Sequence, residues 1–160
     1  MNHGIKKALK QDWKYLMGIN CDDILLPDYW DKGRPYLEVG HPIIGMDQII
    51  AYEVATGRAL KIRLRYERDK CHVWGGGRFL SREAIERAVH GVYPSGFNSG
   101  LDKASQANIN QFTPGDPVVI DGCYLLDMKD EGNINTFETY RSLGVKVAPG
   151  EVAHFINIEG

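Results

Sequence analysis

Three consecutive glycines, Gly75-Gly76-Gly77, stand near the middle of a 160-residue chain. Without a Cβ, glycine reaches positive φ and lets other atoms approach its backbone, but it weakens any helix or strand laid across it. The glycines are therefore a turn. Cys71–Trp74 before them reads as a short strand. After Arg78 a helix begins on agreeing signals: Ser81 as N-cap, Leu80 and Ile85 as a hydrophobic staple, and Gly91 as the stop. Glu83/Arg87 and Glu86/His90 have i,i+4 spacing, and Ile85, Ala88 and Val89 supply a buried stripe. A helix start beside flexible backbone and an arginine suits an anion. The named nucleotide loops are absent, because the stretch is neither G-x-x-x-x-G-K-[ST] nor G-x-G-x-x-G.

Upstream, residues 48–68 read as a β-hairpin around Thr56-Gly57-Arg58. A loop of odd length pairs Val54 with Leu60, Tyr52 with Ile62 and Ile50 with Leu64, which keeps the apolar side chains on one face. It also sets Glu53 opposite Lys61. On that register Leu60, Ile62, Leu64 and Tyr66 face the core, while Lys61, Arg63 and Arg65 face outward. Arg63 and Arg65 are then left to engage a phosphate or a partner's carboxylates.

Elsewhere the pattern is less regular. Ile5, Leu9, Trp13 and Leu16 recur at helical spacing, which predicts an amphipathic helix over 3–17, stopped by Gly18. Six Pro and Gly residues between Pro27 and Gly45 argue against a long helix in 18–47 and leave room for a short strand at 36–39. Tyr29, Trp30 and Tyr36 in that segment are loop anchors or cleft walls. Residues 91–117 form a long polar loop, shortened if Leu101–Ile109 is helical. Val118–Asp127 reads as a strand with a bulge at Gly122. Asn135 and Glu138 have capping-box spacing for a helix over 136–143, and 145–147 with 152–158 suggest a final hairpin. Val152, His154, Ile156 and Ile158 share one face of that last strand.

Composition narrows the function classes. A net charge of −2 counts against a duplex-DNA binder. Three cysteines about fifty residues apart make no disulfide framework and favour a reducing cytoplasm. No signal-peptide run or membrane-length apolar stretch occurs. No C-x-x-C, H-x-x-x-H or H-E-x-x-H motif occurs, and neighbouring Cys71 and His72 would point to opposite faces of a strand. No metal or cofactor is expected. Cys71 or Cys123 with a distant histidine could form a nucleophilic pair. Glu67, Asp69, Asp121 and Asp127 could act as acids and bases or hold a divalent ion.

The expected fold is α+β: one domain over 1–160, with a mostly antiparallel, curved sheet and the N-terminal and middle helices packed on one side. The expected function is non-catalytic recognition of a phosphate-bearing ligand such as a nucleotide. Arg63, Arg65, Arg78 and the amides near Ser81 would hold the anion, Gly75, Gly76 and Gly77 would admit it, and Trp74 or Tyr36 would stack on it. One alternative is a protein–protein module, of inhibitor or immunity type, using Tyr29, Trp30 and the 91–117 loop. Another is a small nuclease or transferase with His72 as acid or base.

Overall fold

The structure, a computed structural model, describes residues 2–64, 72–88, 91–93, 101–113, 115–133 and 136–156. It is an α+β fold with two open sheets. The elements run α1 (Asn2–Ala8), β1 (Tyr15–Met17), β2 (Asp23–Leu25), α2 (Asp28–Val39), β3 (Ile43–Gly45), β4 (Gln48–Glu53), β5 (Arg58–Arg63) and β6 (Phe79–Ser81). They continue with α3 (Arg82–Arg87), α4 (Leu101–Asn110), β7 (Val118–Val119), β8 (Cys123–Lys129), α5 (Phe137–Tyr140), β9 (Gly144–Lys146) and α6 (Pro149–Ile156). The first sheet has the order β1-β6-β3-β7 and the second β2-β8-β4-β5-β9. Pairing is antiparallel except for β3 with β7 and β4 with β8. Those two parallel pairs have one cause. The chain passes from β3 to β4 and from β7 to β8 side by side, so each pass joins the first sheet to the second. Gly122, at φ 119°, stands at the bend between β7 and β8, where a bulge is expected from the sequence. No helix among the described residues is long and apolar enough to cross a membrane.

The second sheet is buried on both faces, which corrects the expected hairpin register. Ile49, Ala51, Leu60 and Ile62 join one apolar cluster with Tyr29, Phe79 and Tyr140, whereas Ile50 joins another with Leu126, Val152 and Phe155. Alternation therefore does not mark an inside and an outside in β4. The loop has four residues, 54–57, and the pairing is Glu53↔Arg58, Ala51↔Leu60, Ile50↔Lys61 and Ile49↔Ile62. Lys61 opposes Ile50, and its Nζ reaches Glu151 Oε2 on α6 at 2.7 Å. Glu53 pairs with Arg58 instead, at 2.7 Å.

Four other expectations change. Helix α1 stops at Ala8, and Trp13 Nε1 donates to the Ala8 carbonyl at 2.6 Å. Leu9, Trp13 and Leu16 still pack with Ile5, but a turn brings them there, not one continuous helix. Second, α2 is a twelve-residue helix that contains Gly33 and Pro35 and ends at Gly40, φ 92°. Its acidic first turn and glycine C-cap outweigh the internal breakers. Third, the last strand is the helix α6, with Val152 and Phe155 buried at i,i+3. Fourth, a further strand, β6, separates the glycines from α3. By contrast, α4 and the Ser81 cap on Ala84 N–H (3.1 Å) are as the sequence suggests. Helix α5 is shorter than expected, and Asn135 lies outside the described residues. The N-terminal and middle helices share one cluster over the first sheet, through Ile5, Leu80, Ile85, Ala88 and Ile109.

Tyr29 on α2 is fully buried, and its hydroxyl donates to the Gly77 carbonyl at 2.7 Å. Tyr29→Phe should lower unfolding free energy by about 1–2 kcal/mol, since the carbonyl loses its donor without a change of shape. Urea denaturation measures this directly. A variant as stable as the wild type would show that the glycine turn does not rely on α2.

Candidate anion-binding cavity and carboxylate pair

Each glycine of the triplet is held by a different neighbour. Gly77 has φ 74°, and a Cβ there would lie 2.8 Å from Met46 Cε. A Cβ on Gly76 would lie 3.0 Å from Leu125 Cδ2 and 3.3 Å from Asp23 Oδ2. One on Gly75 would overlap the Asp102 carboxylate, which rests on bare backbone. The turn is closed by Gly77 N–H to the Gly18 carbonyl at 2.8 Å and Arg78 N–H to the Gly75 carbonyl at 3.3 Å. It is thus a crossing point between β1, α2, β8 and α4.

Beside it lies a cavity of about 180 Å³, lined by Gly75, Gly76 and Arg78 from the predicted set, with Gly18, Asn20 and Asp102 among its other walls. Arg78 is only 2% exposed. Its Nη1 donates to the Asp102 carbonyl at 3.2 Å and its Nη2 to Ser105 Oγ at 3.0 Å. Both acceptors are neutral. Among the described residues no carboxylate comes within ion-pair distance of this guanidinium, which cannot shed its charge.

The other predicted residues lie elsewhere. Arg63 is exposed and paired to Asp47 Oδ2 at 3.1 Å, with Asp121 Oδ1 at 3.7 Å. Trp74 donates through Nε1 to the Asp47 carbonyl at 3.1 Å and meets Tyr140 edge-on. Tyr36 sits on α2 with its ring against His41. Arg63 and Arg78 share no partner. Arg65 and Cys71 lie outside the described residues. Ser81 spends its oxygen on Ala84, and the amides of Ser81 and Arg82 bond the carbonyls of Pro42 and Lys14 at 2.9 and 2.8 Å. The start of α3 is already satisfied. His72 is half-buried and does not line the cavity. The Cys123 thiol is pushed up to about 11, mainly by burial, so it is not a thiolate near neutrality. Tyr29 is core, whereas Trp30 is 52% exposed with its edge on Phe79.

One constellation was only partly anticipated. Asp23 on β2 is the direct cross-strand partner of Asp127 on β8. Lys129, two residues on and therefore on the same face, places Nζ 2.7 Å from Asp127 Oδ1 and 5.3 Å from the Tyr140 ring centre. Asp127 and Lys129 are 8% and 6% exposed. Asp23 Oδ2 accepts from Asn20 Nδ2 at 2.9 Å, while its Oδ1 is buried and meets no donor among the described residues. Asn20 and Gly76 touch both this pair and the cavity. The sequence signal was an Asp and a Lys at i,i+2 in an otherwise apolar strand; Asp23 had none, because its pairing spans about a hundred residues. Among the described residues no group of three or more His, Cys, Asp or Glu is placed to hold a metal. Compared with known proteins, the chain matches no family model and no curated sequence.

Burial, then repulsion from Asp127, pushes the Asp23 carboxyl up to about 6. Burial also raises Asp127, against the pull of Lys129. Because the folded form holds the Asp23 proton more tightly than the unfolded one, this contribution is fully present below about pH 4. It is lost as pH rises through about 6. Asp23→Asn stays neutral, so the variant should gain on the wild type by of order 1 kcal/mol between about pH 4 and pH 7, allowing for partial exposure. Denaturation series across that range give the difference. A pH-independent gap would show that Asp23 does not titrate against Asp127.

Proposed function

We propose that this protein binds a small phosphate-bearing ligand in the cavity between Gly18–Asn20, Gly75-Gly76 and Arg78. The supporting observation is the buried Arg78 guanidinium, which carries a full charge, is hydrogen-bonded among the described residues only to neutral oxygens, and opens onto that cavity. A buried charge costs several kcal/mol, and an anion offsets that cost. Arginine also matches phosphate geometry through paired N–H groups. The volume of about 180 Å³ is below the usual range for pockets that enclose a cofactor. A whole nucleotide would extend beyond it. The enclosed part is a phosphate with a short substituent.

Thermal unfolding with inorganic phosphate and short phosphomonoesters tests this. Ligand at a hundred times Kd adds about 2.7 kcal/mol, which for a chain of this length raises Tm by roughly 5–11 °C. Arg78→Met should remain folded by circular dichroism and lose the shift. An equal shift in Arg78→Met would place the ligand elsewhere.

A second reading, catalysis on that ligand, is favoured by the Asp23–Asp127–Lys129 group on the far side of Asn20 and Gly76. A carboxyl that titrates near 6 supplies both the proton-donating and the proton-accepting form close to neutrality. Hydrolysis of a phosphoester would then require Asp23, and Asp23→Asn should slow it at least a hundredfold while leaving the Tm shift in place. A chain that binds phosphomonoesters and never cleaves them, with or without divalent cations, is a binding protein.

A further inference from the structure

The cavity contains a second charge of the opposite sign. The Asp102 carboxylate lines it, lies against the Gly75 backbone, and makes no hydrogen bond or ion pair with any described residue. Arg78 bonds the Asp102 main-chain carbonyl, not its side chain. The two charges thus share one cavity without a salt bridge between them. They also differ in depth: Arg78 is buried at the floor, and Asp102 is exposed at the rim. Asp102 also stands in the first turn of α4, so its negative charge occupies the positive end of that helix and keeps other anions from settling there.

We infer that the ligand is amphoteric, a phosphomonoester carrying an ammonium group a few bonds from the phosphate, with the phosphate on Arg78 and the ammonium on Asp102. This rests on the phosphate-binding reading proposed above and narrows it to a substrate class. Two of the guanidinium's N–H groups are engaged, so three of its five donors remain for phosphate oxygens. An ordinary alkyl phosphate satisfies the floor but sets its negative charge against the Asp102 carboxylate. An aminoalkyl phosphate satisfies both. The volume of about 180 Å³ admits a phosphate with a two-carbon amine and is below the usual range for pockets that enclose a larger cofactor.

Calorimetric titration with O-phosphoethanolamine, ethyl phosphate and ethanolamine separates the contributions. In the wild type, O-phosphoethanolamine should bind roughly two- to fivefold tighter than ethyl phosphate, the range expected for one solvent-accessible ion pair. Ethanolamine alone should bind weakest of the three. In Asp102→Asn the preference should vanish, and ethyl phosphate should bind more tightly than it does to the wild type because the repulsion is gone. Arg78→Lys keeps the charge and should preserve the order of the ligands at lower affinity. If ethyl phosphate binds the wild type at least as well as O-phosphoethanolamine, and Asp102→Asn changes neither, the amphoteric ligand is wrong and plain phosphate recognition stands. If neither phosphate binds, both readings fail.

Discussion

The closed turn at Gly75–Gly77 is the constraint on which the arrangement depends. Its main chain is bonded to Gly18 and Tyr29, its surface is pressed by Met46, Leu125 and Asp102, and Arg78 ties its far end to α4. A side chain at any of the three positions would meet another element, because the neighbours occupy the space where a Cβ would stand. One loop thereby sets the distances between the first sheet, the second sheet and the middle helices. The cavity exists because these elements converge on backbone that cannot fill the space between them.

Beyond the turn, the second sheet carries the larger part of the packing. Its central strands are covered by α2 and α5 on one side and by α6 on the other. Such a sheet has little use for alternation, and its charged residues need specific arrangements. Lys61 escapes along its stem to Glu151. Asp127 and Lys129 remain inside as a pair, with Asp23 completing the group from the neighbouring strand. Burying ions carries a desolvation cost that an apolar pair of equal volume avoids. Charges retained at such a place are a reason to look there for chemistry.

Arg78 and the Asp23–Asp127 pair are two solutions to the same difficulty. The acids relieve it by holding a proton and by borrowing the Lys129 charge. The guanidinium has neither option, and among the described residues it draws only on neutral oxygens. That asymmetry separates a fixed positive charge from acids whose charge depends on pH. Asn20 and Gly76 stand between the two, each lining the cavity and touching Asp23.

Local signals in the sequence were reliable where one residue decides one feature. Ser81 caps α3 because its hydroxyl is three residues from the N–H it serves; the Gly75–Gly77 turn closes at Gly77, whose φ of 74° favours glycine. Arg78 and the first two glycines could be named as candidates on that basis, and they line the cavity. Wherever a partner lies far along the chain, local reasoning had nothing to act on. The hairpin register failed because α6, about ninety residues downstream of Lys61, covers the face that alternation marks as exposed. Arg63 looked unpaired until the fold supplied Asp47, and α2 runs through Pro35 with Gly33 packed against Phe79 and Ile120. By itself, then, the sequence determined a mixed fold, a glycine turn, a capped helix and an arginine beside them. Only the tertiary structure decided that this arginine is buried with no salt bridge among the described residues, that Asp102 lines the same cavity, and that Asp23 meets Asp127. Electrostatic environment is a sum over everything nearby, and nearness in this chain is set by strand pairing and packing, not by sequence separation.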